Sequence, residues 1–296
     1  MSLSSQHSPP LRSVEVAQFE TLLERIGAQL AATAHLYDES GAFPHDNFKL
    51  LHEHGLVALT VPKALGGGGA DLAQARKAIS AIAKGEPSTA LILVMHYLQH
   101  SRLQDSRTWP DALRQQVARD AVEHGALINA LRVEPDLGTP ARGGLPATTA
   151  RRTAAGWRIS GRKIYSTGSQ GLSWFSVWAR SSDEDPLVGA WLVHKDTPGI
   201  SIIEDWDHLG MRATCSHEVV FDNVLVPLEH AVSVSRWSAP QPELDGDGLL
   251  WMSVLLSSVY DGVAQASRDW LVGWLETRVP SNLGAALSTL PRFQET

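Results

Sequence analysis

The chain has 296 residues, 43% hydrophobic and 19% charged, which are the proportions of an ordinary globular protein of two or three domains. The net charge is −7 and no run of lysine or arginine stands out, which argues against nucleic acid or an anionic membrane as the main partner. A single cysteine, Cys215, excludes an internal disulfide framework, and no secretory signal is visible at the N-terminus, so we expect a cytoplasmic protein.

The first third of the chain has the apolar periodicity of helices. The stretch after Pro87, STALILVMHYLQHSRL, is apolar nearly all round and is therefore expected to form the central, buried helix. The predicted helices cover residues 14–36, 45–54, 70–85, 88–103 and 110–124.

The middle of the chain changes to short segments rich in β-branched and aromatic residues, separated by Gly, Pro, Asp and Ser. Ala155-Gly156 is a plausible hairpin turn. Strands that follow one another without intervening helices predict an antiparallel sheet or barrel. The predicted strand segments are 126–133, 148–161, 174–181, 187–194 and 218–227.

A long helix is predicted again from about Asp247 to Thr277. The predicted fold class is therefore α+β and multidomain, with an N-terminal all-helical domain at 1–125, a middle β-domain at 126–240 and the start of a C-terminal helical bundle at 241–296. One long apolar helix cannot bury its own surface. We expect neighbouring subunits to provide partner helices, or the natural chain to continue past Thr296.

Three local motifs have ordinary structural interpretations. The glycine-rich stretch LGGGGAD at 65–71 lacks a GK[ST] ending, so a tight loop is preferred to a phosphate cradle. His96 and His100 share a helix face, but no third ligand stands at a sensible spacing, and no metal centre is expected. The absence of a G-x-S-x-G elbow gives a serine hydrolase little support.

His96 lies between Met95 and Tyr97 on the most apolar predicted helix. An imidazole there is costly unless it is hydrogen-bonded or faces a pocket. Two interpretations stay open: a satisfied core histidine, which is favoured, and a pocket-facing side chain with a catalytic or substrate-binding role.

Residues 161–169, GRKIYSTGS, begin like a strand and then stop alternating. Tyr165 and Thr167 are two positions apart, so in a strand they would share a face. An aromatic ring there can cover a planar cofactor, and Gly168 lets the backbone turn close to a ligand. The alternative is an ordinary Tyr/Thr pair on an edge strand.

The succession of three motifs resembles the acyl-CoA dehydrogenase family over about residues 14–296. The motifs are GLVALTVPKALGGGGADL at 55–72, ALRVEPDLGT at 130–139 followed by GWRISGRKIYSTG at 156–168, and DHLGMRATCSHEVVFDNVLVP at 207–227. The resemblance implies a flavin-dependent oxidoreductase with FAD, or alternatively FMN. It departs from the family pattern at Val133, where a small hydroxyl residue is usual, and at Pro140, where an acid is usual.

The resemblance also implies a set of site residues. The flavin ring would rest between 130–139 and 165–167, with the Thr167 hydroxyl near flavin N5, and backbone amides around Arg132 and Val133 would face the pyrimidine edge. The far end of the flavin would reach a neighbouring subunit, which implies a homodimer or homotetramer. The expected cofactor-binding residues are Ala130, Leu131, Arg132, Val133, Gly138, Thr139, Tyr165, Ser166, Thr167, Arg278 and Gln294, and the expected substrate contacts are Thr139 and His96.

Two reactions are compatible with this resemblance. The favoured one is α,β-dehydrogenation of an acyl thioester, with acyl-CoA as the substrate. The alternative is reduced-flavin-dependent monooxygenation of a sulfur-containing or aromatic small molecule, as in the dibenzothiophene branch. Dehydrogenation needs a carboxylate base, and Met252 stands about where some members carry it, so the base is unidentified. An electron-transfer partner or a flavin reductase is expected beside the enzyme, and a non-catalytic member of the family is a third interpretation.

Overall fold

The computed structural model describes residues 11–103, 108–137, 143–239 and 245–294. Five helices precede the strands and one follows them, as the sequence predicts. Within the described ranges the helices are α1 Leu11–Ser40, α2 His45–Glu53, α3 Leu72–Gly85, α4 Pro87–His100, α5 Asp111–His124 and α6 Gly246–Thr277. The change from helix to strand thus falls between His124 and Leu127, and the predicted domain boundaries stay predictions.

The strands form one mixed sheet. They are β1 Leu127–Leu131, β2 Thr149–Thr153, β3 Gly156–Lys163, β4 Leu172–Ser181, β5 Leu187–His194, β6 Ile200–Ile203, β7 Glu218–Val226 and β8 Ala231–Arg236. Their order in the sheet is β6-β7-β3-β2-β4-β5-β8, with β1 pairing on β4. Most neighbours are antiparallel as expected, but β1 and β2 both run parallel to β4. Parallel strands need a long connection between them. The β2–β3 hairpin lies between β1 and β4 in the chain, and β3 with the loop after it lies between β2 and β4.

Two local expectations for the sheet need correction. The strands β6 and β8 were not predicted, and they are the two edges of the main strand order. An edge strand has one paired side, so a short segment without a long apolar pattern is sufficient to form it. The hairpin turn consists of Ala154 and Ala155, and Gly156 begins β3 with a φ of 139°. A Cβ at Gly156 would stand 2.2 Å from the Val226 carbonyl oxygen, so this position requires glycine.

Helix α4 is the centre of the fold, which confirms its predicted position. It packs against α3, α6 and β1. Its side chains Leu93, Val94 and Tyr97 have no exposed surface. The helix begins at Pro87 in the first helical position, and the Glu86 carboxylate accepts hydrogen bonds from the backbone N–H groups of Ser88 and Thr89. This cap provides partners for donors at the buried N-terminus of α4.

The glycine-rich stretch is a tight loop and leaves little room for a ligand. Gly68, Gly69 and Ala70 donate their backbone N–H groups to the carbonyls of Ala58, Val61 and Leu59. A Cβ at Gly67 would lie 2.3 Å from the Val61 side chain, so the close return of the chain requires glycine. Since these amides are already paired, they cannot cradle a phosphate.

Helix α6 is buried only in its first half. The buried residues are Leu255, Ser258, Val259 and Gly262. The rest of its surface exposes several large apolar side chains, namely Tyr260, Trp270, Leu271, Val272 and Trp274. None of the helices in the described ranges meets the length and hydropathy needed to cross a lipid bilayer. The expected partner helices for the exposed face stay a prediction.

Small residues allow close contact between α6 and α3. A Cβ at Gly262 would stand 2.5 Å from the Ser80 carbonyl oxygen and 2.8 Å from the Ala83 Cβ. At Gly273, on the same helix, an added Cβ would meet no described atom within 4 Å. The two glycines therefore differ in what a methyl group would contact.

We expect Gly262→Ala to lower the free energy of unfolding by about 1–3 kcal/mol, because the added methyl group must push α3 and α6 apart. The matched change Gly273→Ala is expected to raise it by up to about 1 kcal/mol through helix propensity. Urea denaturation followed by circular dichroism measures both. Equal effects of the two substitutions would contradict the close packing of α3 on α6.

Candidate functional site

The end of β1 lies beside the loop that follows β3. The Ile164 backbone N–H donates to the Val133 carbonyl at 3.0 Å, and the Asn129 side-chain amide donates to the Thr167 carbonyl at 2.9 Å. The two segments that the sequence singled out, 130–133 and 165–167, are thus brought together. We refer to their junction as the corner.

The loop itself differs from the expected strand. Strand β3 ends at Lys163, and Tyr165 has a φ of 53°, in the left-handed region. The Thr167 N–H donates to the Tyr165 carbonyl at 2.9 Å, and the Gly168 N–H donates to the Thr214 carbonyl at 2.7 Å. The shared side of Tyr165 and Thr167 is therefore produced by a turn rather than by strand alternation. A left-handed non-glycine residue stores strain, and such residues concentrate at functional sites.

Tyr165 and Thr167 line the same cavity, of about 400 Å³. We call it the tyrosine cavity. Its remaining wall comes from α4 and from the segment before β7, namely Leu91, Trp206, His208, Leu209, Gly210, Met211, Thr214 and Ser216. The Tyr165 ring is 57% exposed and meets the Trp206 ring edge-on, with 6.0 Å between centroids. One face of the tyrosine is thus available to a flat ligand.

A chain of hydroxyl groups runs along this cavity. The Ser216 hydroxyl lies 3.1 Å from that of Thr167 and 2.8 Å from that of Thr214. The Thr214 hydroxyl is also 2.8 Å from the Met211 carbonyl, to which it can donate. The Ser216 hydroxyl donates to that of Thr167, so the proton of the Thr167 hydroxyl is left for a partner in the cavity. The chain can therefore present a donor at Thr167.

A second cavity, of about 510 Å³, adjoins the corner at the end of β1. We call it the arginine cavity. The end of β1 contributes Ala130 and Arg132 to it. Its other lining residues come from the end of α4 and the loop after it, from β4, β5 and β8, and from the start of α6; they are Gln99, Ser101, Arg102, Leu103, Trp109, Ser176, Trp178, Ala190, Ser233, Asp245, Asp247, Gly248 and Trp251.

Charges in the arginine cavity are close to one another. The Arg132 guanidinium lies over the Trp178 ring, 4.5 Å from its centroid. Burial of this group lowers the pKa of Arg132, and the nearby positive charge of Arg102 lowers it further. Arg102 is ion-paired with Asp245, whose carboxylate also caps the N-terminus of α6 through the Gly248 N–H. Arg132 has no carboxylate partner within the ranges that the structure describes.

A buried ion pair anchors the corner from behind. The Lys163 Nζ lies 2.6 Å from a Glu134 carboxylate oxygen, and the two side chains are 0% and 2% exposed. Burial lowers the pKa of Lys163 to about 8 in spite of this partner. Burial alone would raise the pKa of Glu134, but hydrogen bonds from Lys163, Thr148 and Ala147 outweigh it and the net shift is downward. Both groups are therefore charged near pH 7.

The expectation that His96 faces a pocket is corrected by its surroundings. The ring is fully buried and lines neither cavity. Its Nε2 lies 3.0 Å from the Val57 carbonyl, and its Nδ1 lies 3.2 Å from the Ile128 N–H. A neutral ring with a proton on Nε2 satisfies both contacts, and burial lowers the pKa of His96 to about 4. His96 is thus the satisfied core histidine of the favoured interpretation, and it joins α4 to β1.

Replacing His96 by glutamine is expected to remove part of the pH dependence of stability. The unfolded state of the wild type takes up a proton near pH 6.5, whereas the folded state does so near pH 4. The contribution of neutral His96 to the free energy of unfolding is therefore fully present above about pH 6.5. It is lost as the pH decreases toward 4, and the loss is about 3 kcal/mol.

The measurement is urea denaturation at pH 7 and pH 4 for the wild type and for His96→Gln, whose amide can keep both hydrogen bonds. We expect the free energy of unfolding to decrease less on acidification in His96→Gln than in the wild type. His45→Gln is the control, since that histidine is exposed at the start of α2. An identical acid sensitivity of wild type and His96→Gln would refute the buried neutral ring.

The remaining predicted residues have varied positions. Leu131 and Ser166 are buried, with 1% exposure each, so they support the corner and do not line it with their side chains. Arg278 and Gln294 are exposed near the end of the chain and line neither of the two cavities. Gly138, Thr139 and Pro140 lie outside the described residues.

Sequence reasoning missed the walls of both cavities. Trp206, Thr214 and Ser216 come from the segment before β7, and Arg102 and Trp178 come from the end of α4 and from β4. The resemblance marks 207–227 as a motif without assigning roles to its side chains. The hydroxyl-rich stretch around Cys215 was the only local signal for a cavity wall. Nothing in the local sequence indicates that Trp178 would contact Arg132.

Two family models match the chain. Residues 17–102 match the one described as "Acyl-CoA dehydrogenase, N-terminal domain", and residues 132–224 match "Acyl-CoA dehydrogenase, middle domain". The chain is 34% identical over 278 residues to the "Putative acyl-CoA dehydrogenase YdbM" of Bacillus subtilis, covering 94% of this chain and 71% of that protein. It is 30% identical to the "L-evernosamine nitrososynthase" of Micromonospora, covering 87% of this chain and 61% of that protein.

Solved structures of other proteins have the same fold as this chain. A structure of KijD3 in complex with FMN and dTDP-3-amino-2,3,6-trideoxy-4-keto-3-methyl-D-glucose superposes with a TM-score of 0.76 at 29% identity, covering 100% of this chain and 72% of that one. The dibenzothiophene monooxygenase TdsC of Paenibacillus superposes with a TM-score of 0.77 at 19% identity, covering 93% of this chain and 69% of that one. At that identity the second likeness concerns the fold alone.

Proposed function

Because the chain belongs to the acyl-CoA dehydrogenase family, we propose that it binds a flavin in the corner where the end of β1 meets residues 164–168. The family expected from the sequence is confirmed, as is the α+β fold class. The family and its relatives indicate an oxidoreductase, and the KijD3 structure contains FMN. The proposed cofactor is FAD, or alternatively FMN.

One observation carries the flavin proposal. The Tyr165 ring is 57% exposed in a turn that the surrounding hydrogen bonds hold in the left-handed region, with Thr167 beside it. A tricyclic ring against the tyrosine face would place a ring nitrogen within reach of the Thr167 hydroxyl. The Arg132 guanidinium at the end of β1 would add positive charge near the ring, where a reduced flavin is more negative. The residues present thus fit a flavin.

The other site assignments stay proposals. Gly138 and Thr139, which follow β1 in the chain, would complete the site, with Thr139 between flavin and substrate. Arg278 and Gln294 would meet the far end of the flavin in a second copy of the chain. On this proposal the enzyme is a homodimer or a homotetramer.

Tyr165→Ala is expected to weaken flavin binding by about tenfold, because it removes the aromatic face and its buried area. Quenching of flavin fluorescence on titration with protein measures the dissociation constant. Tyr260→Ala is the matched control, since Tyr260 is 74% exposed on α6 and lines neither cavity. Equal affinities for the wild type and Tyr165→Ala would show that the flavin does not use this face.

For the reaction we propose oxygenation of a polar small molecule. The arginine cavity, which adjoins the corner at Ala130, is lined by Arg102, Arg132, Ser176 and Ser233. The same cavity also has apolar walls, formed by Leu103, Trp109, Ala130, Trp178, Ala190 and Trp251. Against an acyl chain the polar groups would lose hydration without gaining partners. A polar substrate can pair with them. The nitrososynthase relative and the amino-sugar complex of KijD3 support an amine as the reacting group.

The reaction balances as amine, O₂ and reduced flavin giving hydroxylamine, water and oxidised flavin, with the flavin supplying two electrons when bound. The chain's own residues would orient the amine and exclude bulk water from the corner. The hydroxyls of Thr167, Ser216 and Thr214 can hold or pass on a proton at the flavin edge. A flavin reductase would provide the reduced cofactor. This substrate class differs from the sulfur-containing or aromatic one expected from the sequence.

Dehydrogenation of an acyl thioester is the second candidate. The Bacillus relative, 34% identical, bears that name. The reaction requires a carboxylate to take the α-proton while the flavin takes the β-hydride. Met252 is 39% exposed on α6 and lines neither cavity. The carboxylates that line the arginine cavity, Asp245 and Asp247, lie at the start of that helix.

One pair of assays separates the two reactions. With a flavin reductase and NADH, we expect O₂ consumption above the background of peroxide formation when a panel of amino-sugar nucleotides is added. Under anaerobic conditions, we expect no loss of the visible flavin absorbance on adding a panel of acyl-CoA thioesters. Anaerobic bleaching by an acyl-CoA, with the corresponding enoyl product, would overturn oxygenation in favour of dehydrogenation.

A further inference from the structure

The segment after β6 holds Trp206 against the tyrosine cavity through a buried histidine. The Trp206 backbone N–H donates to His217 Nδ1 at 3.0 Å, and His217 is 7% exposed. The Trp206 indole N–H donates to the Met211 carbonyl at 3.0 Å, and the indole ring meets the Tyr165 ring edge-on. The position of this part of the cavity wall therefore depends on the hydrogen bond that His217 accepts.

The histidine ring has a different set of partners for each of its charge states. Because a backbone N–H can only donate, Nδ1 of His217 accepts from Trp206 only when it is unprotonated, and the neutral ring then carries its proton on Nε2. A carboxylate oxygen of Asp205 lies 3.8 Å from the same Nδ1. Protonation of Nδ1 removes the acceptor of the Trp206 N–H and gives the Asp205 carboxylate a charged donor. The proton thus exchanges one partner for the other.

The surroundings of His217 decide where this exchange occurs on the pH scale. Burial lowers the pKa of His217 below its ordinary value of 6.5, and the negative charges of Glu204 and Asp205 offset only part of this effect. Glu218, the next residue on β7, is ion-paired with Arg162 of β3. The neutral ring therefore predominates near pH 7, and the charged ring appears as the pH decreases below about 6.5.

Two other titratable side chains, Tyr165 and His208, line the tyrosine cavity itself. The His208 ring lies 3.8 Å from the Trp206 ring, measured between centroids, so it also contacts the wall that His217 holds. Behind this wall, Arg212 is ion-paired with Asp207. A pH effect on the cavity therefore has His208 as its competing source.

We propose that His217 is a positioning residue for the flavin: its neutral ring holds Trp206 beside Tyr165, and its protonation releases Trp206 and weakens flavin binding. A displaced Trp206 backbone changes the space beside the tyrosine face, because the two rings are in edge-on contact. By linkage, a flavin that requires the neutral ring opposes the proton, and the proton opposes the flavin to the same extent. The inference rests on the proposed function, because it concerns a wall of the same flavin site.

The test is the dissociation constant of FAD for the full chain at pH 7.5 and at pH 5.5, measured from the change of flavin fluorescence on titration. FAD is used because a terminal phosphate, as in FMN, changes its own charge near pH 6. We expect the wild type to bind FAD about 3- to 10-fold more weakly at pH 5.5. The pKa of His217 lies below 6.5, which limits the loss at this pH to about tenfold.

Two substitutions of His217 separate its hydrogen bond from its charge. His217→Asn places an amide oxygen at about the position of Nδ1, where it accepts from Trp206 and does not titrate. We expect the ratio of the two dissociation constants to fall to about 1 in this variant. His217→Gln carries its oxygen one bond farther out, so we expect weaker FAD binding than in the wild type at pH 7.5, again without pH dependence.

The matched control is His194→Asn. His194 Nδ1 accepts from the Asp196 N–H at 3.4 Å beside the carboxylate of the same residue, and it lines neither cavity. This histidine has the same kind of partners as His217 but lies away from the flavin site. We expect the variant to keep the wild-type ratio of dissociation constants.

Three results would overturn the inference: equal FAD affinities of the wild type at the two pH values, a wild-type ratio in both His217 variants, or loss of the pH dependence in His208→Asn instead. The first of these needs no variant, so it does not depend on whether a substituted chain folds. A wild type that binds no FAD at pH 7.5 counts against the proposed function. Binding at pH 7.5 with an unaltered pH dependence in the His217 variants counts against this inference alone.

Discussion

The position of β1 is the constraint on which both cavities depend. Its inner side is joined to α4 through the His96 ring, which connects the Val57 carbonyl with the Ile128 N–H. Its edge pairs in parallel with β4. Its outer end is held by the Ile164 N–H and by the buried pair of Glu134 and Lys163. With three independent attachments, the strand cannot shift without breaking buried polar contacts, each of which is costly to leave unpaired.

A rigid β1 gives the corner two different sides. On one side the turn at 164–168 presents an exposed aromatic ring and a chain of hydroxyls. On the other side Ala130 and Arg132 open onto a larger, charged cavity. Strand alternation places the side chains at 130 and 132 on one face, which meets the arginine cavity, while Leu131 points into the core.

The charges of this region form a connected set. Lys163 and Glu134 neutralise each other in the interior, while Arg132 is close enough to lower the pKa of Lys163. Arg102 in turn lowers the pKa of Arg132. The positive charges of Arg102, Arg132 and Lys163 thus act on one another around the end of β1.

Much of the fold could be read from the sequence because its causes are local. Apolar spacing was sufficient for the helices, and the uninterrupted apolar surface of 88–103 was sufficient to identify the central one. Two edge strands were missed, since a short strand paired on one side needs no distinctive pattern. The family followed from three motifs taken together. The described part of the expected segment 130–139 is hydrogen-bonded to the loop that contains residues 165–167, and their role in flavin binding stays a prediction.

The sequence by itself determined the element types, the family and the two segments that form the corner, because propensity and periodicity act between residues close in the chain. Only the tertiary structure decided which side chains face a cavity. His96 is fully buried and finds two backbone partners, whereas Arg132 is exposed, lies over an aromatic ring and lines a cavity. That difference depends on Val57, Ile128 and Trp178, which lie far from His96 and Arg132 in the chain or on another element. A local sequence pattern therefore could not predict it.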